Sequence, residues 1–111
     1  MSVDQPRNID IVSINKDGNV VLTISDHLDW ANTIHHQLIL QAKFNAYLAF
    51  VESGEILEQY PKSEGRAIIF KVVFKFSPDI EGRKFLAKAK EVIKSAGFDL
   101  ELELFAESYD N

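Results

Sequence analysis

Hydrophobic and polar residues alternate along two short stretches near the start of the chain, and this pattern predicts a β-hairpin. Residues 9–14 and residues 20–25 are rich in β-branched side chains, and apolar residues occupy alternate positions in the second stretch. Between the two stretches lie Asp17 and Gly18, and an Asp-Gly pair favours the tight turn that joins antiparallel strands. We therefore expect the chain to begin with two paired strands.

Two longer segments repeat their apolar residues at helical spacing, and each predicts an α-helix. The first covers residues 30–52, with capping oxygens available on residues 25–29 and with Gly54 in the position that ends a helix. The second begins at the Ser-Pro-Asp sequence of residues 77–79 and ends at Gly97. Both helices have an apolar side that we expect to pack against a sheet.

Three further stretches predict strands. Residues 55–60 are a short candidate, residues 98–105 alternate leucine with acidic residues, and residues 67–76 carry the clearest β pattern. In the last two strands, the side chains expected to face the helices are apolar: Ile68, Phe70, Val72, Phe74, Phe76, Leu100, Leu102 and Leu104.

The resulting element order is β-β-α-β-β-α-β, which predicts an α+β fold. From the second strand onward, this order matches the ferredoxin-like plan, so we predict a two-layer sandwich in which a mainly antiparallel sheet carries two helices on one face. The first strand of that plan is central, so either the extra hairpin displaces an edge strand or residues 55–60 do not pair in this way. The length predicts a single domain over residues 1–111, with loose ends at residues 1–8 and 106–111.

Composition and charge argue against several classes of function. The formal net charge of -5 repels phosphate backbones, so we expect no nucleic-acid partner. The absence of cysteine excludes disulfides, thiolate metal sites and cysteine nucleophiles. The polar N-terminus is unlike a signal peptide, and no apolar run approaches the ~20 residues that span a bilayer. We therefore expect a cytoplasmic protein without a membrane partner.

Three histidines and two aspartates lie close together in the sequence and raise the question of a metal site. Their imidazole and carboxylate groups are competent zinc or iron ligands: Asp26, His27, Asp29, His35 and His36. Neighbouring residues of a helix point about 100° apart, however, so His35 and His36 cannot both face one ion. His36 also lacks a histidine four residues away, which is the spacing of a helical metal pair. We therefore predict no metal and no other cofactor.

Other catalytic patterns are missing from the sequence, so we predict no catalytic residue and favour a protein that is not an enzyme. No serine lies in a G-x-S-x-G elbow, and the dispersed glycines form no phosphate loop. Glu101 and Glu103 are carboxylates of the kind that acid–base catalysis uses. Ion pairs with Lys71 and Lys75 of the neighbouring strand explain them without chemistry. The basic residues of the second helix form a solvated face rather than an RNA site: Arg83, Lys84, Lys88, Lys90 and Lys94.

Three stretches of the sequence together resemble one protein family: NKDGNVVLTISDHLDW, LQAKFNAYLAFVESGEI and GRAIIFKVVFKFSP. The family consists of small bacterial proteins known only as a domain of unknown function. The similarity covers about residues 8–105, and its most specific parts are SDHLDW and FVESGEI. The resemblance implies a bacterial, cytoplasmic, stand-alone domain, and it transfers no activity, cofactor or catalytic residue.

Two surfaces are candidates for binding. The sheet face away from the helices is more apolar than a wet face requires, and its candidate interface residues are Val21, Ile69, Val73 and Phe105, with Ile9 or Ile11. The start of the first helix offers a candidate binding patch made of Asp26, His27, Asp29, Trp30, His36 and Tyr60. Trp30 is either an anchor for a partner or a residue that packs against the core.

These observations lead to two hypotheses about function. The first is a non-enzymatic module that forms a homodimer or binds another protein, because the sheet face is apolar and no catalytic set is present. The alternative is a small enzyme or a ligand- or metal-binding protein, with a pocket near Trp30 between the first helix and the strand ends.

Overall fold

The structure is a computed structural model that describes residues 11–105; the predicted loose ends at residues 1–8 and 106–111 lie outside this range. The elements in chain order are β1 (Ile11–Ile14), β2 (Val20–Asp26), α1 (Thr33–Glu52), α2 (Glu55–Gln59), β3 (Ile68–Phe74), α3 (Ile80–Ser95) and β4 (Asp99–Leu104). A turn of 3-10 helix, Pro61–Ser63, follows α2.

The strands form a mixed sheet in the order β1-β2-β3-β4. β1 and β2 are the predicted antiparallel hairpin, and Gly18 in its turn has a φ of 85°, which few side-chain-bearing residues tolerate. β2 runs parallel to β3, and β3 runs parallel to β4. The α+β class is confirmed, but the sheet has one antiparallel and two parallel pairs rather than being mainly antiparallel.

The predicted strand at residues 55–60 is wrong, because this segment is helical. Glu55–Gln59 forms α2, and Gly54 before it has a φ of 84°, which redirects the chain after α1. The sequence Glu-Ile-Leu-Glu-Gln contains one β-branched residue among good helix formers, and its Ile56 is buried. Since α2 is not a strand, β2 connects to β3 by a crossover through α1, and such crossovers join parallel strands. The loss of this predicted strand explains why the ferredoxin-like order does not form.

Both long helices pack on the same face of the sheet, as predicted. The helices and this sheet face share one core of buried apolar side chains: Val20, Leu22, Ile24, Leu40, Phe44, Tyr47, Phe50, Ile56, Ile68, Phe70, Val72, Phe74, Leu86, Ile93 and Leu100. Successive right-handed crossovers that move in one direction along a sheet keep their helices on one side of it. The odd-numbered residues of β2, β3 and β4 point to the opposite side, which we call the open face.

The helices begin at residues other than those predicted. α1 begins at Thr33, because the side chain of Asn32 accepts the backbone N–H of His35 at 3.1 Å. α3 begins at Ile80, because the carboxylate of Asp79 caps it. Pro78 therefore precedes the cap of α3 and lies outside the helix.

The ends of β3 and β4 are more exposed than predicted. Leu100 is buried, but Leu102 and Leu104 are about half exposed beside a cleft between β4 and α3. Phe76, expected on the helix-facing side of β3, lies beyond the end of that strand and is also exposed. The inward direction predicted for the last two leucines of β4 is therefore only partly realised.

Candidate functional site

A buried carboxylate–imidazole pair joins the end of β2 to the start of α1. Asp26 is the last residue of β2, and His36 lies in the first turns of α1. His36 Nε2 lies 2.5 Å from Asp26 Oδ2, and both side chains are almost fully buried. The structure thus brings together two of the histidine and aspartate residues that the sequence singled out, but inside the molecule.

The hydrogen bonds of this pair fix the position of one proton and require a second. His36 Nδ1 is 3.0 Å from the backbone carbonyl oxygen of Asp29, and a carbonyl oxygen only accepts, so Nδ1 carries a hydrogen. The contact between Nε2 and Asp26 Oδ2 then requires one further proton, held by either atom. Asp26 Oδ1 accepts the backbone N–H of Leu28 at 3.1 Å.

The burial of Asp26 shifts its pKa upward. Burial raises the pKa of the Asp26 carboxyl above its ordinary value of 3.8, and the hydrogen bond and charge of His36 offset only part of this increase. Because both groups are enclosed, a substrate does not reach them in this conformation. The arrangement therefore fastens α1 to β2 rather than presenting a reactive group to solvent.

Trp30 covers the same pair from the outside. Its ring stacks on His36, with the ring centroids 3.7 Å apart and the planes inclined by 23°. Its Nε1 donates to the carbonyl oxygen of Phe76 at 3.2 Å, and the ring lies directly against Gly82 of α3. Trp30 is partly buried and packs against the core, which is the second of the two roles that the sequence left open.

A shallow pocket of about 260 Å³ lies next to this cluster, at the N-terminal end of α1. Its lining is about equally polar and apolar and consists of His27, Leu28, Asp29, Asn32, His35, His36 and Phe76. Within residues 11–105, no three histidine, aspartate or glutamate side chains are placed to hold one metal ion.

Tyr60 lies apart from the other residues of the predicted binding patch. It lines a different pocket, of about 420 Å³, together with Val12, Val20 and Pro61. Val20 is at the opposite end of β2 from Asp26, so the two pockets lie at opposite ends of the sheet. The structure therefore brings together five of the six residues of that patch and separates the sixth.

The predicted interface residues of the sheet lie on the open face or at its end. Val21 and Ile69 are each 8% exposed, which leaves little of either side chain accessible to a partner. Val73 is half-buried, and Phe105 is 48% exposed after the end of β4. On the same face Lys71 and Glu103 form an ion pair at 2.9 Å, as expected for cross-strand neighbours.

The outer face of α1 is an exposed surface that was not among the predicted candidate sites. On this helix the solvent-exposed side chains form one stripe: Ile34, His35, Leu38, Gln41, Ala42, Asn45, Ala49 and Glu52. Ile34 is 69% exposed and Leu38 is 59% exposed. Lys43 and Glu52 are the only lysine, arginine, aspartate or glutamate residues of α1, and Lys43 is buried. With histidine counted as neutral, the stripe is therefore uncharged over its whole length before Glu52.

The stripe continues into a groove of about 310 Å³ between α1 and α3. Gln41 and Asn45 belong to both surfaces, and Phe85 and Val92 of α3 form the far wall of the groove. The sequence did contain a signal for this surface, namely the small number of charged residues. A helix of 20 residues with only one lysine and one glutamate lacks the charged face of an ordinary solvated helix.

No helix within residues 11–105 has both the length and the apolar character that a bilayer crossing requires.

Comparison with known proteins identifies a family but no function. No curated protein and no solved structure matches the chain. The profile of a family of unknown function, DUF6572, matches residues 1–106. The chain, with this mixed four-stranded sheet and its uncharged α1 surface, therefore belongs to the DUF6572 family.

Proposed function

We propose that this protein is a non-enzymatic interaction module that associates with a second copy of itself through the outer face of α1. The observation that carries the proposal is the uncharged stripe with Ile34 and Leu38 exposed on it. Exposed apolar surface of this kind marks interfaces, since a solvated helix normally presents charged side chains there.

The distribution of charge favours the stripe on α1 over other surfaces for a contact between two copies. Two copies of a chain with a net charge of -5 repel each other, so a stable contact has to avoid placing like charges together. A two-fold contact through the open face would bring the carboxylates of Glu101 and Glu103 toward their own copies. A two-fold contact through the outside of α3 would likewise bring the lysines of one copy toward the same lysines of the other copy. The stripe on α1 meets its own copy without this repulsion.

The sizes of the side chains favour an antiparallel pair of α1 helices. The large exposed residues, Ile34 and Leu38, lie in the N-terminal half of the stripe, whereas Ala42 and Ala49 lie toward its C-terminal end. Antiparallel pairing about a two-fold axis near Ala42 places large residues of one copy against small residues of the other, which fills space efficiently. The amides of Gln41 and Asn45 lie close to that axis, where uncharged polar groups can pair.

Sedimentation velocity over a wide range of concentrations tests this proposal. We expect a concentration-dependent dimer for the wild type and a dissociation constant raised about tenfold or more for Leu38→Lys, because the substitution buries an unpaired charge. Leu57→Lys is the matched control, since Leu57 is a leucine of α2 that is also exposed, at 43%. Circular dichroism confirms that both variants are folded.

The sheet interface predicted from the sequence is the competing surface, and Val73→Lys distinguishes the two. If Val73→Lys dissociates the dimer while Leu38→Lys does not, the copies meet through the open face. A wild type that stays monomeric at the highest accessible concentration contradicts self-association through either surface.

A second candidate function is the binding of a small ligand in the pocket at the N-terminal end of α1. The observation that favours it is the convergence of His27, Asp29 and His35 on this pocket. Thermal-shift measurements with Zn²⁺, Ni²⁺ and a panel of metabolites test it, because a ligand that binds the folded state raises its melting temperature. A shift that His27→Ala abolishes supports the site, and the absence of any shift contradicts it.

A further inference from the structure

The outer edge of β4 suits the addition of another strand, because its backbone is unpaired, one of its faces is apolar and the other is acidic. Within residues 11–105, β4 pairs with β3 and has no strand on its other side. An edge strand presents backbone N–H and C=O groups in its plane, and an extended partner can bind them. The side chains of β4 differ sharply between its two faces, which determines what kind of partner fits.

The backbone directions of β4 follow from one hydrogen bond at its end. The N–H of Phe105 donates to the carbonyl oxygen of Phe74 at 2.7 Å, so the backbone groups of Phe105 point toward β3. These directions alternate along a strand, so the groups of Leu100, Leu102 and Leu104 point outward. The N–H of Leu100 already donates to the side chain of Asp99 at 2.8 Å. Leu102 and Leu104 therefore provide the N–H groups for an added strand.

The side chains along this edge are apolar on the helix-facing side. Leu102 and Leu104 are about half exposed and border a cleft of about 320 Å³, whose other walls include Phe74, Leu86 and Ala87. Apolar side chains of an added strand would enter this cleft and cover both leucines.

On the open face, the same edge is acidic. Asp99, Glu101 and Glu103 follow one another at alternate positions, and Lys71 forms an ion pair with Glu103. An added strand would place every second side chain next to these carboxylates. Opposite charges at such cross-strand positions stabilise the pairing, and like charges destabilise it.

We propose that the edge of β4 binds an extended segment of another protein in which basic and apolar residues alternate. The apolar residues fill the cleft at Leu102 and Leu104, and the basic residues face Asp99, Glu101 and Glu103. A second copy of β4 does not meet this requirement, because it brings the same carboxylates to the same face. This partner and this surface are separate from the α1 contact between copies.

The probe for this proposal is a short capped peptide that alternates lysine and valine. The protein is the Leu38→Lys variant at low concentration, so that association through α1 does not interfere. Amide hydrogen exchange followed by NMR should show that the peptide protects Leu102 and Leu104. The amides of Glu101 and Glu103, which point toward β3, should change little. A peptide of the same composition with the alternation scrambled, and one that alternates glutamate and valine, are the controls.

A charge-reversal pair tests whether the carboxylates select the partner. We expect Glu101→Lys with Glu103→Lys to weaken peptide binding about tenfold or more, because like charges then face each other across the strands. The matched control is Glu58→Lys with Glu64→Lys, which changes the net charge equally at exposed positions elsewhere. Equal weakening by both pairs, binding of the scrambled peptide with the same affinity, or exchange protection spread over the surface would overturn the proposal.

Discussion

Trp30 connects two parts of the chain that are distant in sequence, the start of α1 and the segment that runs from Phe76 into the start of α3. Its ring stacks on His36 of α1 and lies against Gly82 of α3, and its Nε1 donates to the backbone of Phe76. Thr33 reinforces the same junction, because its hydroxyl donates to the carboxylate of Asp79 at 3.1 Å. These contacts hold the starts of both long helices together at one end of the sheet.

Gly82→Ala should destabilise the protein through this junction. A Cβ at Gly82 would lie 2.5 Å from Trp30 Cζ3, so the ring has to move. Overpacking of this kind costs ~1–3 kcal/mol, and the better helix propensity of alanine returns at most ~1 kcal/mol. We expect a net loss, measured by urea unfolding with Trp30 fluorescence. Lys84→Ala, at an exposed position of the same helix, is the control. A Gly82→Ala variant as stable as the wild type contradicts the close packing.

The raised pKa of Asp26 gives the stability a pH dependence of defined sign. The folded protein binds the Asp26 proton more tightly than the unfolded chain does. The contribution of Asp26 to the free energy of unfolding is therefore complete below its unfolded pKa of 3.8, and it is lost as the pH rises through the folded-state pKa.

Asp26→Asn is the variant that isolates this effect. Asparagine does not titrate, yet its amide can still donate to His36 Nε2 and accept from the backbone N–H of Leu28. We expect the difference in the free energy of unfolding, wild type minus variant, to fall as the pH rises from about 3.8 through the folded-state pKa. Urea titrations across this range measure it, and a difference that rises in the same range would show the opposite shift.

At the scale of elements, the patterns that depend on neighbouring residues were predictable. The hairpin follows from the Asp-Gly turn, and β3 follows from its aromatic and β-branched alternation. Residues 55–60 were not, because six residues are too few for the spacing of Ile56 and Leu57 to distinguish a strand from a short helix. The wrong element also hid the parallel pairing of β2 with β3.

The candidate site was predictable only in part, because its residues meet through tertiary packing. The sequence grouped Asp26, Trp30 and His36. Nothing in their spacing indicated that Asp26 and His36 form a buried pair covered by the ring of Trp30. Periodicity identifies an apolar stripe on a helix, yet α1 has apolar residues on more than one side. Ile34 and Leu38 fit the same helical repeat as the core residues, yet they face solvent.

A pair of substitutions in α2 tests the helical assignment of this segment. Ile56 is buried in the core and Leu57 is 43% exposed, so their truncations should differ. We expect Ile56→Ala to cost ~2–4 kcal/mol, because it leaves a cavity in the core, and Leu57→Ala to cost well under half of that. Chemical denaturation measures both values, and equal losses at the two positions would contradict the orientation of α2.

At the scale of the whole molecule, the net charge of -5 acts on the two proposed contacts in opposite directions. Association of two acidic copies works against their mutual repulsion, and salt screens that repulsion over a Debye length of ~10 Å at 0.1 M. Binding of a basic strand at β4 gains from attraction, which salt weakens.

The two contacts should therefore respond to salt in opposite ways. We expect the dissociation constant of the α1 dimer to fall as NaCl is added, and that of the lysine–valine peptide to rise. Sedimentation and NMR titrations at low and high ionic strength measure the two constants. Parallel changes would mean that one of the two surfaces has been assigned wrongly.

The order of the strands in the sheet equals their order in the chain. Each new strand adds to the outside of the sheet already built, and none has to insert between two that are paired. A chain that leaves the ribosome from its N-terminus can therefore assemble the sheet progressively, with the contacts between successive strands completed as synthesis proceeds. Within residues 11–105, β4 is the last strand to emerge, and it therefore reaches the sheet with its outer edge unpaired.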